Sequence, residues 1–410
     1  MPNIDRCRIC SSAHLYYFLD LGSTPLANSF VRPENAADPE PRYPLQACLC
    51  RSCGLVQLGY VVDRELLFKD YIYFSSTSET IRKHFAALAE EVLEEYVREG
   101  DLVVEAASND GVLLKNLLGK RVRALGVESA TNIAGVANDA GVETINEFFN
   151  SGSAARIAAT RGRAACILAC NVFAHIADLH DFVEGMQTLL ADEGTVIIEV
   201  PYLCQFWENL EFDTVYHEHL SYFALKPVIR LFGRLGMEVF DARELPVHGG
   251  SIRIYVQNKG GGRRPRTDRL ATLVDREQKL GLGESGTWDF FARKVQALRG
   301  ELVALLTDLK NNGKKVAIYG TPAKGNTLLN YCGIGRDLAA YAVDGSPHKQ
   351  GLLTPGMHIP VYAPDRIAHD KPDYLLVLAW TLIAEIIEQQ EAFRKGGGRF
   401  ILPLPNPKVI

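Results

Sequence analysis

No apolar run in this 410-residue chain approaches the roughly 18 residues a membrane-spanning helix needs. Positive charge is not in excess either: 44 Lys and Arg against 49 Asp and Glu leave a formal charge of −5, so no global basic field draws in nucleic acid or an anionic membrane. Any phosphate has to be held locally. The opening Met1-Pro2-Asn3-Ile4-Asp5-Arg6-Cys7 has no basic stretch followed by an apolar one, so neither a signal peptide nor a membrane span is expected, and the cytoplasm is the expected compartment. What remains is a soluble globular composition, 47% hydrophobic and 23% charged, in a chain too long for one ordinary core. Two or three domains are expected.

Five of the nine cysteines fall within the first 53 residues. Cys7-Arg8-Ile9-Cys10 is followed, after 39 intervening residues, by Cys50-Arg51-Ser52-Cys53. Two such hooks let each thiolate pair take two corners of a tetrahedron around Zn²⁺, and Gly54 directly after the second suits a tight turn. Four protein ligands leave no open position, so the zinc is expected to be structural; reduced thiol pairs without metal are the alternative. Removing the metal is expected to unfold the first 60 or so residues before it touches any chemistry. Cys48 lies in a strand-like stretch, 43–49, and Cys166, Cys170, Cys204 and Cys332 have no partner spacing, so these five read as core thiols.

After a helical pattern over 81–97, short apolar runs alternate with helices: 102–106, 123–127, 165–169 and 194–200. That alternation predicts a parallel sheet with helices on both faces. An alternating strand is predicted over 251–257 and a loop tip at 260–264. A charged helical stretch over 287–312 leads to a second alternating block, with strands at 314–320, 338–343, 374–378 and 399–403. Each block begins with a strand that runs into a turn and is followed by an acid: Glu128 stands 17 residues after Gly111, and Asp344 stands 19 after Gly325. Two nucleotide-type folds in tandem are the economical reading.

Open α/β sheets bind ligands beyond the carboxyl ends of their strands. A dinucleotide would ask for three glycines in the first turn. Glu105-Ala106-Ala107-Ser108-Asn109-Asp110-Gly111 has one. Its acids suit a ligand with a cationic tail: Glu105 for an ammonium or for ordering the loop, Glu128 for both hydroxyls of a ribose. S-Adenosylmethionine fits that charge pattern better than an anionic dinucleotide. Glu147 and Phe148 follow where a third strand end would meet the adenine edge and face, and Asn171, after the fourth strand, would line the donor's tail.

With these motifs in view, the sequence resembles the nucleotide-sugar C-methyltransferases, bacterial enzymes that place a methyl branch on a keto-deoxysugar carried by TDP. The most specific strings are Tyr216-His217-Glu218-His219, Leu245-Pro246-Val247-His248-Gly249-Gly250-Ser251 and Pro347-His348-Lys349-Gln350-Gly351. Ala107 stands where methyltransferases usually have a glycine. The resemblance implies an α/β chain in three parts: a zinc-binding module over 1–70, a class I methyltransferase Rossmann-like domain over 71–244, and a second Rossmann-like domain over 245–410 that binds the nucleotide sugar.

Methylating carbon requires removing a proton α to a carbonyl, which needs a base of pKa near 7 and a donor for the enolate oxygen. The resemblance implies His219 as the base at the sugar C3, with Tyr216 and Glu218 orienting substrate or base. His175 follows the fourth strand and is the candidate donor to the oxygen at C4; the role of His217 stays open. Tyr71 and Tyr73 are implied as a substrate-facing loop. Gly320-x-x-x-x-Gly325-Asn326-Thr327 lacks the lysine of a P-loop, which argues against an ATPase. Its backbone, with Lys324 or Lys349, can still meet a diphosphate, and His248-Gly249 forms a turn that a sugar can approach. An O- or N-methyltransferase on the same carrier, and a non-catalytic zinc-stabilised nucleotide-sugar-binding protein, are the alternatives.

Overall fold

The computed structural model describes residues 3–68, 74–247, 249–261 and 264–410. Tyr71, Tyr73 and His248, three of the expected substrate contacts, lie outside the described residues. Seventeen strands are described. In chain order the first three are Leu15–Thr24 (β1), Tyr43–Cys50 (β2) and Val56–Leu58 (β3). The middle of the chain carries Leu102–Ala106 (β4), Arg123–Val127 (β5), Thr144–Ile145 (β6), Ala164–Cys170 (β7), Leu190–Pro201 (β8), Ser221–Tyr222 (β9), Met237–Leu245 (β10) and Ser251–Asn258 (β11). The last six are Val316–Tyr319 (β12), Ala342–Val343 (β13), Val361–Tyr362 (β14), Tyr374–Val377 (β15), Arg399–Leu402 (β16) and Lys408–Val409 (β17).

The central sheet runs β10-β11-β8-β7-β4-β5-β6. Its β8-β7-β4-β5-β6 part is parallel, as the alternation predicts, and β4 and β5 have the predicted bounds. Every residue of β4 is buried, which is why the strand reads as a continuous apolar run and not an alternation. The predicted strand over 251–257 joins this sheet antiparallel to β8, and β10, which the apolar pattern did not single out, closes its edge. The expected seam between 244 and 245 therefore falls inside β10, just before the turn of a hairpin whose two strands both pair in the central sheet. The C-terminal sheet runs β14-β13-β12-β15-β16-β17 and is parallel except for β17. Of the strand expected over 338–343 only Ala342–Val343 forms.

The N-terminal sheet, β1-β2-β3-β9, is antiparallel and takes its fourth strand from the middle of the chain. β9 begins two residues after His219, so the segment expected to do chemistry is joined to the cysteine module. One contiguous apolar core extends from β2 through the central sheet to β12 and β16. The helix Ser285–Asn311 buries Trp288, Phe291, Val295, Leu298, Leu302, Leu306 and Leu309, residues three and four apart that form one face. Trp288 meets Phe18 of β1 at a centroid distance of 4.7 Å, so this helix joins the first module to the last. Among the described residues no helix is long and apolar enough to cross a membrane.

Candidate functional site

β4 delivers its last residues into a turn in which Ala107 (φ 55°), Asn109 (φ 49°) and Gly111 (φ 73°) are all left-handed. Ala107 thus holds the backbone conformation for which glycine is usual, at a cost of roughly 1–2 kcal/mol. Glu128, at the end of β5, closes the turn by accepting from the Asn109 N–H (2.9 Å) and the Ala130 N–H (2.8 Å). Asn109 and Asp110 in turn accept from the N–H groups of Ser75 (2.9 Å) and Ser76 (3.1 Å), which lays the segment before the helix Glu79–Glu95 across the loop. Sequence reasoning passed over these serines because backbone N–H donors leave no side-chain signature.

Three polar atoms around this turn are buried without a hydrogen-bond partner among the described residues: Glu105 Oε2, Ser108 Oγ and Asp110 Oδ1. Burial, with Glu128 and Asp110 close by, pushes the Glu105 carboxyl well above the usual carboxylate range. Orphaned buried oxygens at the carboxyl ends of parallel strands suit a ligand that brings an ammonium and hydroxyl groups, and the residues present fit S-adenosylmethionine in that respect. Further along, Glu147 is ion-paired with Arg156, and the Arg64 guanidinium lies 4.2 Å from the Phe148 ring centre. Asn171 is left-handed (φ 57°) after β7. Gly111 is required by packing, since a Cβ there would fall 2.9 Å from Val142.

A cleft of about 1460 Å³ joins this turn to the histidines. Glu105, Ser108, Asn109, Asp110, Glu128, Glu147, Phe148, Asn171, His175, Tyr216, His219, Lys324 and Lys349 all line it, whereas Gly111, Glu218 and Gly249 do not. The His219 Nδ1–H donates to the Thr214 carbonyl (3.0 Å), which fixes the tautomer, and Nε2 accepts from the Tyr216 hydroxyl (2.8 Å). The His175 and His219 rings meet edge to face at 5.0 Å. Glu218 turns to the first module, where Asn28 Nδ2 donates to it (2.6 Å). His217 turns away from the cleft as well: its ring packs on Tyr43 and Nε2 donates to the Tyr43 carbonyl (3.3 Å). Asn28, which lines the cleft, had no sequence signal because its partner lies 190 residues away.

Burial lowers His175 to about 4, and its Nδ1 has no partner among the described residues. In the unfolded chain the ordinary value is about 6.5. Between these values the unfolded chain binds a proton that the folded chain refuses. This group's contribution to stability is therefore complete above about pH 6.5 and is lost as pH falls towards 4. Burial raises Asp213 to about 6 and Glu211 to about 7, so these two act with the opposite sign in overlapping windows. The difference between wild type and His175→Gln isolates the histidine: stepwise denaturant titrations are expected to show the variant losing less stability than wild type between pH 6.5 and 4.

In the C-terminal block the two lysines are already engaged. Lys324 sits at the start of the helix Ala323–Cys332, with Nζ 4.3 Å from the Trp380 ring centre, and Trp380 Nε1 donates to Asp213 Oδ2 (2.8 Å). Burial lowers Lys324, and Asp213 and Glu211 oppose that. Lys349 donates to the Thr321 carbonyl (3.0 Å) and approaches Asp344, which also accepts from the Thr321 N–H and hydroxyl (both 2.8 Å). The glycines that suggested a phosphate cradle serve packing: a Cβ on Gly325 would fall 2.8 Å from Leu378, and one on Gly320 would fall 3.0 Å from Ala379. Gly249 (φ 96°) lies against Glu211, where a Cβ would come within 2.8 Å of Oε1.

Cys7, Cys10, Cys50 and Cys53 bring their sulfurs within 4.8 Å of one another, with Cys7–Cys53 and Cys10–Cys50 both at 3.5 Å. Tetrahedral Zn²⁺ with bonds of about 2.3 Å requires sulfurs about 3.8 Å apart, so the four fit the ion. Cys48 is fully buried in β2 and stands outside the set.

Three family models match consecutive parts of the chain: a domain described as zinc binding over residues 7–68, a methyltransferase domain over 78–242, and a C-methyltransferase C-terminal domain over 246–405. Among curated proteins, the C-methyltransferase NovU of Streptomyces niveus is 38% identical over 408 residues, covering 99% of this chain and 97% of NovU. Solved structures resemble parts of the chain. A SAM-dependent methyltransferase from Anabaena variabilis has a TM-score of 0.36 at 16% identity, over 48% of this chain and 91% of that one. Magnesium protoporphyrin IX methyltransferase from Synechocystis with bound SAH has a TM-score of 0.35 at 10% identity, over 43% and 83%. With a close relative along its whole length and three family domains in order, the chain belongs to the C-methyltransferases, S-adenosylmethionine-dependent enzymes that carry an N-terminal zinc-binding module.

Proposed function

We propose that this C-methyltransferase acts at C3 of a TDP-4-keto-6-deoxy sugar, through an enolate formed when His219 takes the C3 proton. The observation that carries the reading is that His219, Tyr216 and His175 line the same cleft as the orphaned oxygens of the donor loop, so base and donor address one space. The bound donor supplies an electrophilic methyl on a sulfonium. Glu105 and Asn171 would face its amino-acid tail, Ser108, Asn109, Asp110 and Glu128 its ribose, and Glu147 and Phe148 its adenine.

With Nδ1–H committed to Thr214, His219 has only Nε2 with which to take a proton. A substrate C–H reaches it by displacing the Tyr216 hydroxyl, which then turns to the substrate. His175 is neutral at pH 7 and so keeps an N–H for the enolate oxygen at C4, where a placed donor is worth about 10²–10³ in rate. Glu218, held by Asn28, orients the segment. The diphosphate would lie at the N-terminal turn of the helix Ala323–Cys332, near the Lys324 and Lys349 ammonium groups, which is how a net-negative chain holds an anion. Tyr71, Tyr73, His248 and Gly249 keep their assignment to the substrate on the family resemblance alone.

The test is incubation with S-adenosylmethionine and a panel of TDP-4-keto-6-deoxy sugars in D₂O, followed by mass spectrometry and NMR. A methyl on C3, with solvent deuterium entering C3 when donor is omitted, is the expected result. Methyl on oxygen or nitrogen overturns the reading.

A further inference from the structure

We propose that Arg8, the residue between the first two cysteines of the zinc set, is a positioning residue for proton abstraction. Resting on the reading of His219 as the base, this assigns the cysteine knuckle a role in the reaction besides stability.

The Arg8 guanidinium reaches out of the knuckle, and its Nη1 lies within hydrogen-bond distance of three oxygens: Gln57 Oε1 (3.1 Å), the Leu58 carbonyl (3.0 Å) and the Leu220 carbonyl (3.1 Å). Leu220 directly follows His219. Its carbonyl also accepts from the Leu58 N–H (3.0 Å), and its own N–H donates to the carbonyl of Ala174 (2.7 Å), the residue before His175. The peptide that carries His219 is thus gripped on one side by the cysteine module and tied on the other to the segment that carries His175. β3 continues the grip by pairing Val56 with Tyr222 and Gln57 with Ser221. The knuckle is itself anchored to the central domain, because the Ile9 carbonyl accepts from His180 Nε2 (2.9 Å) and Arg234 Nη1 (3.1 Å). None of these bonds touches the donor loop.

A base displaced by 1 Å can cost on the order of 10²-fold in rate. Loss of the guanidinium leaves Leu220 its bond from Leu58, so the strand pairing survives while the register of His219 against His175 loosens. All three side-chain bonds leave from Nη1, while Nη2 has no partner among the described residues, so a lysine ammonium with its three N–H donors can restore part of the set. Arg8→Met is expected to lower kcat and the donor-independent exchange of deuterium into the sugar together, by about 10–100-fold. Zinc content, KM and the donor Kd should stay within about twofold, and Arg8→Lys should recover part of both rates. Gln57→Leu is the second variant, for the case in which Arg8→Met does not fold. It removes the oxygen that accepts from the Arg8 N–H and Nη1, and the Gln57 Nε2 it also removes has no partner among the described residues. It should lower exchange in the same direction.

Exchange at the wild-type rate in both variants overturns the role of Arg8, and so does a fall that tracks zinc content or folded fraction. A wild-type protein that methylates carbon but shows no exchange at all overturns instead the reading of His219, and the proposal with it.

Discussion

His219→Asn is expected to abolish solvent exchange at the sugar carbon and methyl transfer together, each by about 10²–10⁴-fold, while donor affinity stays within about twofold. The asymmetry follows from the layout. The donor is proposed to bind at the turn after β4 and at Glu128 after β5, which line the cleft. The imidazole is held from a different segment, by Thr214 on Nδ1 and Tyr216 on Nε2. Asparagine can keep a donor for the Thr214 carbonyl but has no nitrogen lone pair with which to take a proton. Isothermal titration with S-adenosylhomocysteine, set beside NMR of the sugar in D₂O, separates the two readouts. A variant that exchanges at the wild-type rate places the base elsewhere in the cleft. Tyr216→Phe is the informative companion: Nε2 loses its hydroxyl partner but keeps its lone pair, so exchange should fall by less than in His219→Asn.

The second large effect concerns the metal. Cys50→Ser, or removal of zinc by a strong chelator, is expected to unfold the N-terminal sheet and to stop methyl transfer in the same step. Structural Zn²⁺ contributes on the order of 10–16 kcal/mol of apparent binding free energy to small modules, more than a four-stranded sheet of this size can replace. The expectation from sequence was that the first 60 or so residues would unfold before the chemistry was touched. The structure changes that order, because β9 follows His219 by two residues and is the fourth strand of the cysteine module's sheet. Trp288 offers the signal, since its ring packs tilted against Phe18 of β1 at 4.7 Å and is fully buried. Metal analysis should find one zinc per wild-type chain and almost none in Cys50→Ser, and tryptophan emission should move to the red as transfer activity disappears. Transfer that survives complete loss of zinc would show that the Tyr216–His219 segment keeps its geometry without the module.

The features legible in the sequence are those in which chemistry is encoded within a few residues. Two Cys-x-x-Cys hooks announce a tetrahedral site because each pair spans two corners by itself, and the four sulfurs do converge. β4 and β5 were readable to the residue because a strand buried on both faces is a short apolar run, as all of β4 and the last three residues of β5 are. The acids after those strands were readable because the carboxyl ends of a parallel sheet all open on one side. The sequence by itself therefore determined the zinc set, the tandem α/β order and the acids that stand at the strand ends.

Contacts across long stretches of chain were decided only by the tertiary structure. Nothing local marks Ser221–Tyr222 as a strand, since two residues acquire that state only by pairing with β3. Asn28 and Glu218, or Arg8 and Leu220, are about 200 positions apart and share no pattern. Gly320 and Gly325 mark a turn in the sequence, and only the fold shows that Ala379 and Leu378 occupy the space a side chain there would need. Lys349 supplies local positive charge in the sequence, and only the fold shows that Asp344 and Thr321 fix where its ammonium stands. A motif states which groups are available within reach of one another, but packing decides which partner each group takes, because a buried polar atom is satisfied by whatever the fold brings to it.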